Sequence, residues 1–418
     1  LFYAILTARG WELRHAPPLG SNGRGGPRTE FPAPLPFDSA PAVATRETGY
    51  AGWPSLRPHF WVPFFRNAGP SGRFGGVVTA GTDALNRFTY AADLFLAPHP
   101  LRLAGDLTLV VDALGNPTLD LAASSEWFDL ALPAGVPVTL SELHQTAALG
   151  TSFVTRRWRS VASLRLAAEA ERFHYHAIPE SALAVICPGC GALDLFGGSL
   201  TVALSRLVAG ALSPSPENGF VWSATYRGRT GGSVGWSREV RSQLALYARV
   251  PGVDGFAHHV VAVRLAAGGT SGPLGPLYRV GGVSLGNVSL TYGQTLGVTR
   301  LFPVRGYRSG EVVGSRAATG TLEYRLPLAL LGHTLGHLPL GADKVWLNAF
   351  ADAGGAWGPG TSPQFTRLRS GGVELAADVA VNYDLLLRLR LGVAEPLAPL
   401  PSGGARRPSV YLAFASDF

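Results

Sequence analysis

Residues 301–307 run Leu-Phe-Pro-Val-Arg-Gly-Tyr, and residues 350–354 run Phe-Ala-Asp-Ala-Gly. A glycine follows Arg305, so the backbone can turn sharply there and seat Tyr307 beside the turn. Asp352 instead stands where apolar and polar residues alternate, which is the pattern of a β-strand with one apolar face. The first stretch therefore predicts a tight turn that carries a positive charge, and the second predicts a strand that carries a negative one.

The same alternation extends well beyond Asp352. In residues 319–328 the polar face carries Thr321, Glu323 and Arg325, and the opposite face is apolar. A soluble β-sandwich also alternates, because it buries one face and wets the other. Nearly every run in this chain does so over about ten residues, however, which is typical of strands that face lipid. Further runs of this kind are 345–353, 373–379 and 385–391.

Composition favours the same architecture. Hydrophobic residues make up 46% of the 418 residues and charged residues 15%, yet no stretch approaches the roughly 20 apolar residues of a membrane helix. Such a chain buries its apolar face either in lipid, as a closed sheet, or in a soluble all-β core. The 53 glycines and 32 prolines supply the turns that many short strands need. Because the sequence contains no methionine, we expect that a signal peptide or a domain precedes Leu1.

The net charge of +7 is carried almost wholly by arginine, since Lys344 is the only lysine. Nucleic-acid binding requires arginines clustered in one surface stripe. Here they are scattered at alternate strand positions, which favours the polar wall of a pore and argues against a nucleic-acid partner.

Sixteen candidate strands can be counted, an even number as bacterial barrels require. Eleven precede the Arg305 stretch and five follow it. The connection at 268–313 is long for a compact domain, so we expect it to be functional or folded inward. The candidates are 58–65, 72–82, 87–98, 101–112, 117–129, 142–155, 157–176, 196–208, 219–229, 238–250, 257–267, 314–328, 344–355, 371–380, 384–394 and 408–418.

The Val304-Arg305-Gly306-Tyr307 and Phe350-x-Asp352-x-Gly354 motifs, with the aromatic carboxyl-terminal Phe418, resemble the outer-membrane protein assembly factor and two-partner secretion transporter superfamily, the bacterial surface antigen barrels. The resemblance implies a transmembrane antiparallel β-barrel whose long extracellular loop folds into the pore. It implies that Arg305 meets Asp352 on the inner wall. Glu323, on the polar face of the neighbouring strand, is a second candidate partner.

The register then predicts which side chains face lipid and which face the pore, because a slip of one residue would exchange the two faces. Leu322, Tyr324, Leu347, Leu375, Leu387 and Leu412 are expected to face lipid. Glu323, Arg325, Asp352, Glu374, Asp378 and Arg388 are expected to face the pore.

The first and last barrel strands predict a weak seam. Pro58 and Pro63 bracket Phe60 and Trp61, and proline donates no hydrogen bond to a neighbouring strand. The carboxyl-terminal strand, with Phe414 and Phe418, is expected to pair with this segment and close the barrel. A proline at the rim of an ordinary strand explains the same pattern.

The amino-terminal part differs from the barrel in composition. Residues 1–19 suggest two short strands about Arg9-Gly10 and resemble the last hairpin of a TolB-like β-propeller. Residues 20–57 are rich in Gly, Pro and Ser and show no periodic pattern of apolar residues, which is typical of a linker. We therefore expect a periplasmic remnant and linker over 1–57 and an outer-membrane barrel over 58–418.

Two motifs suggest other chemistry. Cys187 and Cys190, with His174 and His176, match the ligand types of a Cys₂His₂ zinc site. Because the sequence contains only one Cys-x-x-Cys segment, a disulfide or two free thiols fit these cysteines better. Gly282-x-Ser284-x-Gly286 matches the hydrolase elbow, but that motif needs a helix after the serine and the following residues resemble a strand. We therefore expect no metal, no cofactor and no enzyme activity.

The sequence thus predicts an integral barrel of the bacterial outer membrane with both termini in the periplasm. The resemblance implies a role in inserting or translocating polypeptides. Expected partners are outer-membrane lipid, lipopolysaccharide, client polypeptides and periplasmic proteins. A passive pore or anchor for a periplasmic propeller, and a barrel-tethered hydrolase, are the alternatives.

Overall fold

The computed structural model describes residues 2–7, 10–15, 50, 52–58, 60–67, 73–99, 101–130, 138–186, 192–231, 235–272, 277–283, 301–334, 340–358, 366–381, 385–400 and 406–415. A separate hairpin precedes the main sheet, in which β1 (Phe2–Thr7) pairs antiparallel with β2 (Gly10–His15). A short 3-10 helix follows at Trp53–Leu56. In these ranges no helix is long and apolar enough to cross a membrane.

One antiparallel sheet of 16 strands contains most of the chain. Its first eleven strands are β3 (Val62–Asn67), β4 (Arg73–Thr82), β5 (Phe88–Pro98), β6 (Leu101–Val111), β7 (Thr118–Leu130), β8 (Thr139–Arg157), β9 (Ser160–Ile178), β10 (Leu193–Val208), β11 (Asn218–Thr230), β12 (Trp236–Asp254) and β13 (His258–Ser271).

Three short strands then form a second sheet within the long connection: β14 (Tyr278–Val280), β15 (Leu301–Phe302) and β16 (Val312–Gly314). The last five strands of the main sheet are β17 (Arg316–Thr334), β18 (Leu340–Trp357), β19 (Thr366–Val381), β20 (Leu385–Pro396) and β21 (Ser409–Ala415). Each strand follows its predecessor in the sheet, with β13 paired to β17. The predicted all-β fold with sixteen antiparallel strands, eleven before the Arg305 stretch and five after it, is confirmed.

Exposure along the strands follows the predicted alternation. Glu323, Asp352 and Glu374 are at most 4% exposed, whereas Leu322 and Leu375 are 52% and 43% exposed. A single flat sheet cannot bury charges on one face, so the sheet curves around them. Of the other residues assigned to the two faces, Arg325 and Asp378 are buried, Arg388 and Leu347 are half-buried, Tyr324 and Leu412 are exposed, and the side chain of Leu387 lies outside the described part.

The antiparallel order gives the sheet two distinct ends. The turn end carries the connections 83–87, 112–117, 158–159, 209–217 and 255–257. The loop end carries 131–138, 179–192, 272–315 and 397–408. The connection that contains Arg305 thus begins at Gly272, slightly later than predicted, because β13 extends to Ser271.

The seam strands differ in detail from the prediction. β3 begins at Val62, so Phe60 and Trp61 precede the strand, and Trp61 is 57% exposed. Pro58 lies ahead of the ladder and donates no hydrogen bond to it, in keeping with the later start. β3 and β21 stand at the two ends of the strand order, and their pairing stays a prediction. Phe418 and the side chain of Phe414 lie outside the described residues.

Candidate functional site

The described parts of the 272–315 connection, residues 277–283 and 301–315, pack against the inner face of the sheet at the loop end. Tyr278, Val280, Phe302 and Val304 from the connection are each 0% exposed and form one apolar cluster. The sheet side of this cluster is Ala317, Ala356 and Leu368, from β17, β18 and β19. Burial of these apolar side chains favours an inward position of the connection over one in solvent.

Arg305 stands on the tight turn that its glycine predicted. Gly306 adopts a φ of +90°, a conformation that residues with a Cβ rarely take. At this turn the chain passes close to β20, with Ala394 Cβ 3.4 Å from where a Gly306 Cβ would lie. The turn thus points the Arg305 side chain toward the wall formed by β17, β18 and β19.

Asp352 on β18 receives Arg305 in a bidentate pair. Nε and Nη2 of Arg305 donate to Oδ2 and Oδ1 of Asp352, both at 2.8 Å. The main-chain N–H of Arg305 also donates to Asp352 Oδ2 at 3.0 Å. One carboxylate therefore binds both the side chain and the backbone of the turn. Charge-assisted bidentate pairs of this kind are among the stronger hydrogen bonds in proteins.

Two further carboxylates surround the guanidinium. Nη1 of Arg305 lies 3.2 Å from Glu323 Oε1 and 3.9 Å from Glu374 Oε2. The guanidinium carbon also lies 3.5 Å from the ring centroid of Phe350, on the same strand as Asp352. A cation over an aromatic face gains electrostatic attraction when water is excluded.

Two other arginines of the wall balance the negative charge of Glu323. Glu323 also contacts Arg325 Nη2 at 2.8 Å and Arg264 Nη2 at 3.4 Å. Burial by itself lowers the pKa of Arg305, but the hydrogen bonds to Asp352 and the charge of Glu323 outweigh it and raise that pKa above its usual range. The arginine is therefore charged at every physiological pH.

Tyr307 fastens the other side of the turn. Its single hydroxyl proton donates to the carbonyl oxygen of Arg369 at 2.8 Å, and the carbonyl oxygen of Ala398 lies 3.2 Å from the same hydroxyl. The amide N–H groups of Arg369 and Ala398 both donate back to the hydroxyl at 3.3 Å. A single phenol thus joins the turn to β19 and to the segment that follows β20.

Gly354 lets the turn approach β18 closely. A Cβ on Gly354 would lie 2.5 Å from Thr319 Cγ2 and 3.0 Å from Val304 Cγ2. Both distances are shorter than a normal carbon contact, so any side chain here would displace the 301–307 segment or the strand. The glycine of the second motif is therefore required by packing.

Sequence reasoning placed Glu374 on the pore wall but did not connect it to this site. Its Oε2 accepts a hydrogen bond from the Tyr411 hydroxyl at 2.9 Å. Tyr411 lies on β21, and Gly392 on β20 pairs with both Tyr411 and Glu374, which leaves space for the phenol to cross β20. Only the register of three strands reveals this contact.

The remaining candidate residues lie elsewhere. His174 and His176 are close, with ring centroids 4.4 Å apart, while Cys187 and Cys190 fall outside the described residues. Within the described part no group of three or more residues is arranged to hold a metal ion. Gly282 lies inside the barrel and bridges to Val304, but Ser284 of the elbow motif is not among the described residues.

No protein-family model matches this sequence, and no curated protein matches it significantly. Solved structures do match. CdiB from Acinetobacter baumannii aligns with a TM-score of 0.52 at 14% identity over 81% of this chain, and CdiB from Escherichia coli with 0.56 at 12% over 84%. The chain has the β-barrel fold of CdiB. It spans 56% and 61% of the length of these two proteins.

BamA from Haemophilus ducreyi lacking POTRA domains 1–3 also matches, with a TM-score of 0.50 at 14% identity over 85% of this chain and 69% of that one. The fold that the two motifs implied is therefore confirmed by structures that share little sequence with this chain.

Proposed function

We infer that this chain is a non-enzymatic outer-membrane β-barrel of the assembly-factor and two-partner secretion superfamily, and that it inserts or translocates polypeptides at the outer membrane. CdiB and BamA, with which it shares its fold, both belong to that superfamily. The apolar face of the strands suits lipid and lipopolysaccharide. Client polypeptides and periplasmic proteins are the remaining proposed partners.

The observation that supports this proposal is the buried position of Arg305 and its pairing with carboxylates of the wall. The side chain is 7% exposed and pairs with carboxylates from both β17 and β18. Removing an arginine from water inside a confined lumen is costly unless charges on the wall compensate for it. An arginine held in this way retains the 272–315 connection inside the barrel, so the lumen is not an open pore. We therefore favour a gated translocation barrel over a passive pore.

The proposed arrangement places 1–57 in the periplasm as a remnant and linker ahead of the 58–418 barrel. Both termini are then periplasmic, the turn end faces the periplasm and the loop end faces the cell exterior. In this orientation the 272–315 connection enters the lumen from outside, opposite the side on which an exported client arrives.

Single-channel recording in planar bilayers tests the proposal. Arg305→Ala should release the connection and convert small, erratic currents into larger and steadier ones. Arg308→Ala is the matched control, because Arg308 lies three residues further along the same segment but is exposed. A steady, large pore in the unaltered protein would contradict the proposal and favour a passive pore.

A client-based measurement separates gating from transport. Cells that carry Arg305→Ala should accumulate client polypeptide in the periplasm while the barrel itself remains folded in the outer membrane. Cells with Arg308→Ala should export normally. Normal export by Arg305→Ala, with the connection shown to be released, would contradict a transport role for the connection.

A further inference from the structure

The connection between β10 and β11, residues 209–217, contacts strands far from its own. Lys344 Nζ on β18 donates to the carbonyl oxygens of Ala211 and Ser213, at 3.2 and 3.4 Å. Arg388 Nη2 on β20 donates to the carbonyl oxygen of Pro214 at 2.9 Å. We call residues 209–217 the crossing turn.

These contacts require the turn to traverse the lumen. In the sheet order, β12, β13, β17, β18 and β19 stand between β11 and β20. With neighbouring strands about 4.8 Å apart, this path along the wall is about 29 Å. A short turn reaches β20 only by cutting across the interior of the curved sheet. The crossing turn therefore obstructs the turn end of the lumen, opposite the end occupied by Arg305.

The crossing turn is packed in place. Ser213, Ser215 and Glu217 are 8%, 6% and 5% exposed. Glu217 Oε2 lies 3.0 Å from Nδ1 of His258, at the start of β13, and Ser213 Oγ donates to the carbonyl oxygen of Ser215 at 2.7 Å. The acceptors at Ser213 and Pro214 thus belong to a buried, ordered arrangement, whereas Ala211 is exposed.

The chemistry of these contacts is not specific to this turn. All three acceptors are main-chain carbonyl oxygens, which every polypeptide carries. Pro214 and Pro216 have no N–H, so at these positions the segment offers only acceptors. A protonated lysine and an arginine are donors without acceptors, which suits them to such a segment.

The wall itself sets Arg388 in position. Arg388 Nε donates to Asp378 Oδ1 at 2.9 Å, and its guanidinium carbon lies 4.5 Å from the ring centroid of Trp346. Lys344 lies two residues before Trp346 on β18, and its Nζ is 3.8 Å from Asp343 Oδ2. Because the supports of Arg388 come from the sheet, this donor remains in place when the crossing turn leaves.

We propose that Lys344 and Arg388 form a binding site for the main chain of a polypeptide at the turn end, in which Asp378 and Trp346 hold Arg388, and that the crossing turn occupies this site in the resting protein. A client segment displaces the turn by offering its own carbonyl oxygens to the same donors. This inference rests on the proposed translocation role, since it names the place where a client first binds.

Acylation of Lys344 tests occupancy, because it is the only lysine of the chain. The reconstituted full-length protein is treated with a water-soluble amine-reactive ester, and modification is quantified by mass spectrometry with the α-amine as internal reference. Replacing residues 210–216 with Asn-Gly, which favours tight two-residue turns, should accelerate modification of Lys344 about tenfold or more. An equal rate in both proteins would overturn the occupancy.

A peptide supplied in trans tests the ligand class. In the shortened variant, a peptide of residues 211–217, Ala-Leu-Ser-Pro-Ser-Pro-Glu, should restore protection of Lys344. A scrambled peptide that keeps both prolines should protect similarly, because main-chain carbonyls are recognised. Adding Arg388→Ala should abolish protection, whereas Arg157→Ala, an exposed arginine at the same end, should not. If Lys344 acylation is faster in the shortened variant but no peptide suppresses it, the proposed site is overturned, and the turn only shields Lys344 from the reagent.

Failure here is distinguishable from failure of the proposed function. Arg305→Ala acts at the opposite end and should leave Lys344 acylation unchanged. If peptides protect Lys344 but Arg305→Ala alters neither currents nor export, the binding site stands and the translocation role falls. If Arg305→Ala opens the barrel but no peptide protects Lys344, the translocation role stands and the site falls.

Discussion

At the scale of the residue, one arginine is bound by two carboxylates and an aromatic ring. Asp352 supplies a bidentate pair, Glu323 a second charge at 3.2 Å and Phe350 an aromatic face. Lysine carries the same charge but has no planar fork for a bidentate pair. The geometry therefore selects arginine over lysine as well as over a neutral residue.

Arg305→Ala should destabilise the seated connection by about 3–5 kcal/mol, because Asp352 and Glu323 stay buried without their partner. Arg305→Lys should destabilise the connection less than Arg305→Ala, since the lysine retains one charge contact. Limited proteolysis within 301–313 measures the difference, and the rate of cleavage should rank Ala above Lys above the unaltered protein. Cleavage of Arg305→Lys as fast as Arg305→Ala would show that charge alone contributes nothing.

Gly354→Ala should also release the connection, although it removes no polar contact. The added Cβ would lie within 3.0 Å of Val304 Cγ2 and closer still to Thr319. Gly371→Ala is the control, because its nearest contact, Phe350 O at 3.6 Å, is of ordinary length. We expect increased cleavage within 301–313 for Gly354→Ala only. Equal cleavage of both variants would contradict close packing at Gly354.

At the scale of the element, the strands were predictable because alternation is local. All sixteen barrel strands were located from period-two patterns, and Glu323 was placed on the face that meets Arg305. The contact from Tyr411 to Glu374 was not predictable, since it depends on the register of β19, β20 and β21 together. The crossing turn was missed for a similar reason, because its partners are set by the curvature of the sheet.

The last strand is tied to the site by this contact. Tyr411→Phe removes the hydroxyl that donates to Glu374 at 2.9 Å, and hydrogen bonds to charged groups contribute about 1.5–3 kcal/mol. Amide hydrogen exchange in 409–415 should therefore accelerate about tenfold or more. Tyr226→Phe is the control, since Tyr226 faces outward and is 45% exposed. Unchanged exchange in Tyr411→Phe would mean that β21 is held by its ladder alone.

At the scale of the whole molecule, the barrel has an apolar exterior and a lumen filled from both ends. The described parts of the 272–315 connection lie at the loop end, and the crossing turn spans the turn end. The wall at the loop end also carries Arg229 and Glu239, whose Nη2 and Oε2 are 2.6 Å apart, and Tyr278 of the connection donates to Glu239 Oε1 at 3.2 Å. The proposed translocation role therefore requires both obstructions to move.

The apolar exterior gives a test of the register as a whole. Leu375→Arg should weaken folding into bilayers by about 2–4 kcal/mol if the residue lies at mid-depth in lipid. Leu85→Arg is the control, because Leu85 is also exposed, at 51% against 43% for Leu375, but stands in a connection at the turn end. Folding yields in lipid vesicles across a urea series measure both variants. Equal yields would place Leu375 outside the hydrocarbon region.

We expect Arg305 and Asp352 to act as one unit that holds the connection inside the barrel. A double-mutant cycle on single-channel conductance tests it most directly, using Arg305→Ala, Asp352→Ala and the double variant. Each single variant should raise conductance to a similar level, and the double variant should raise it no further. Independent effects that add in the double variant, or single variants with unchanged conductance, would contradict it.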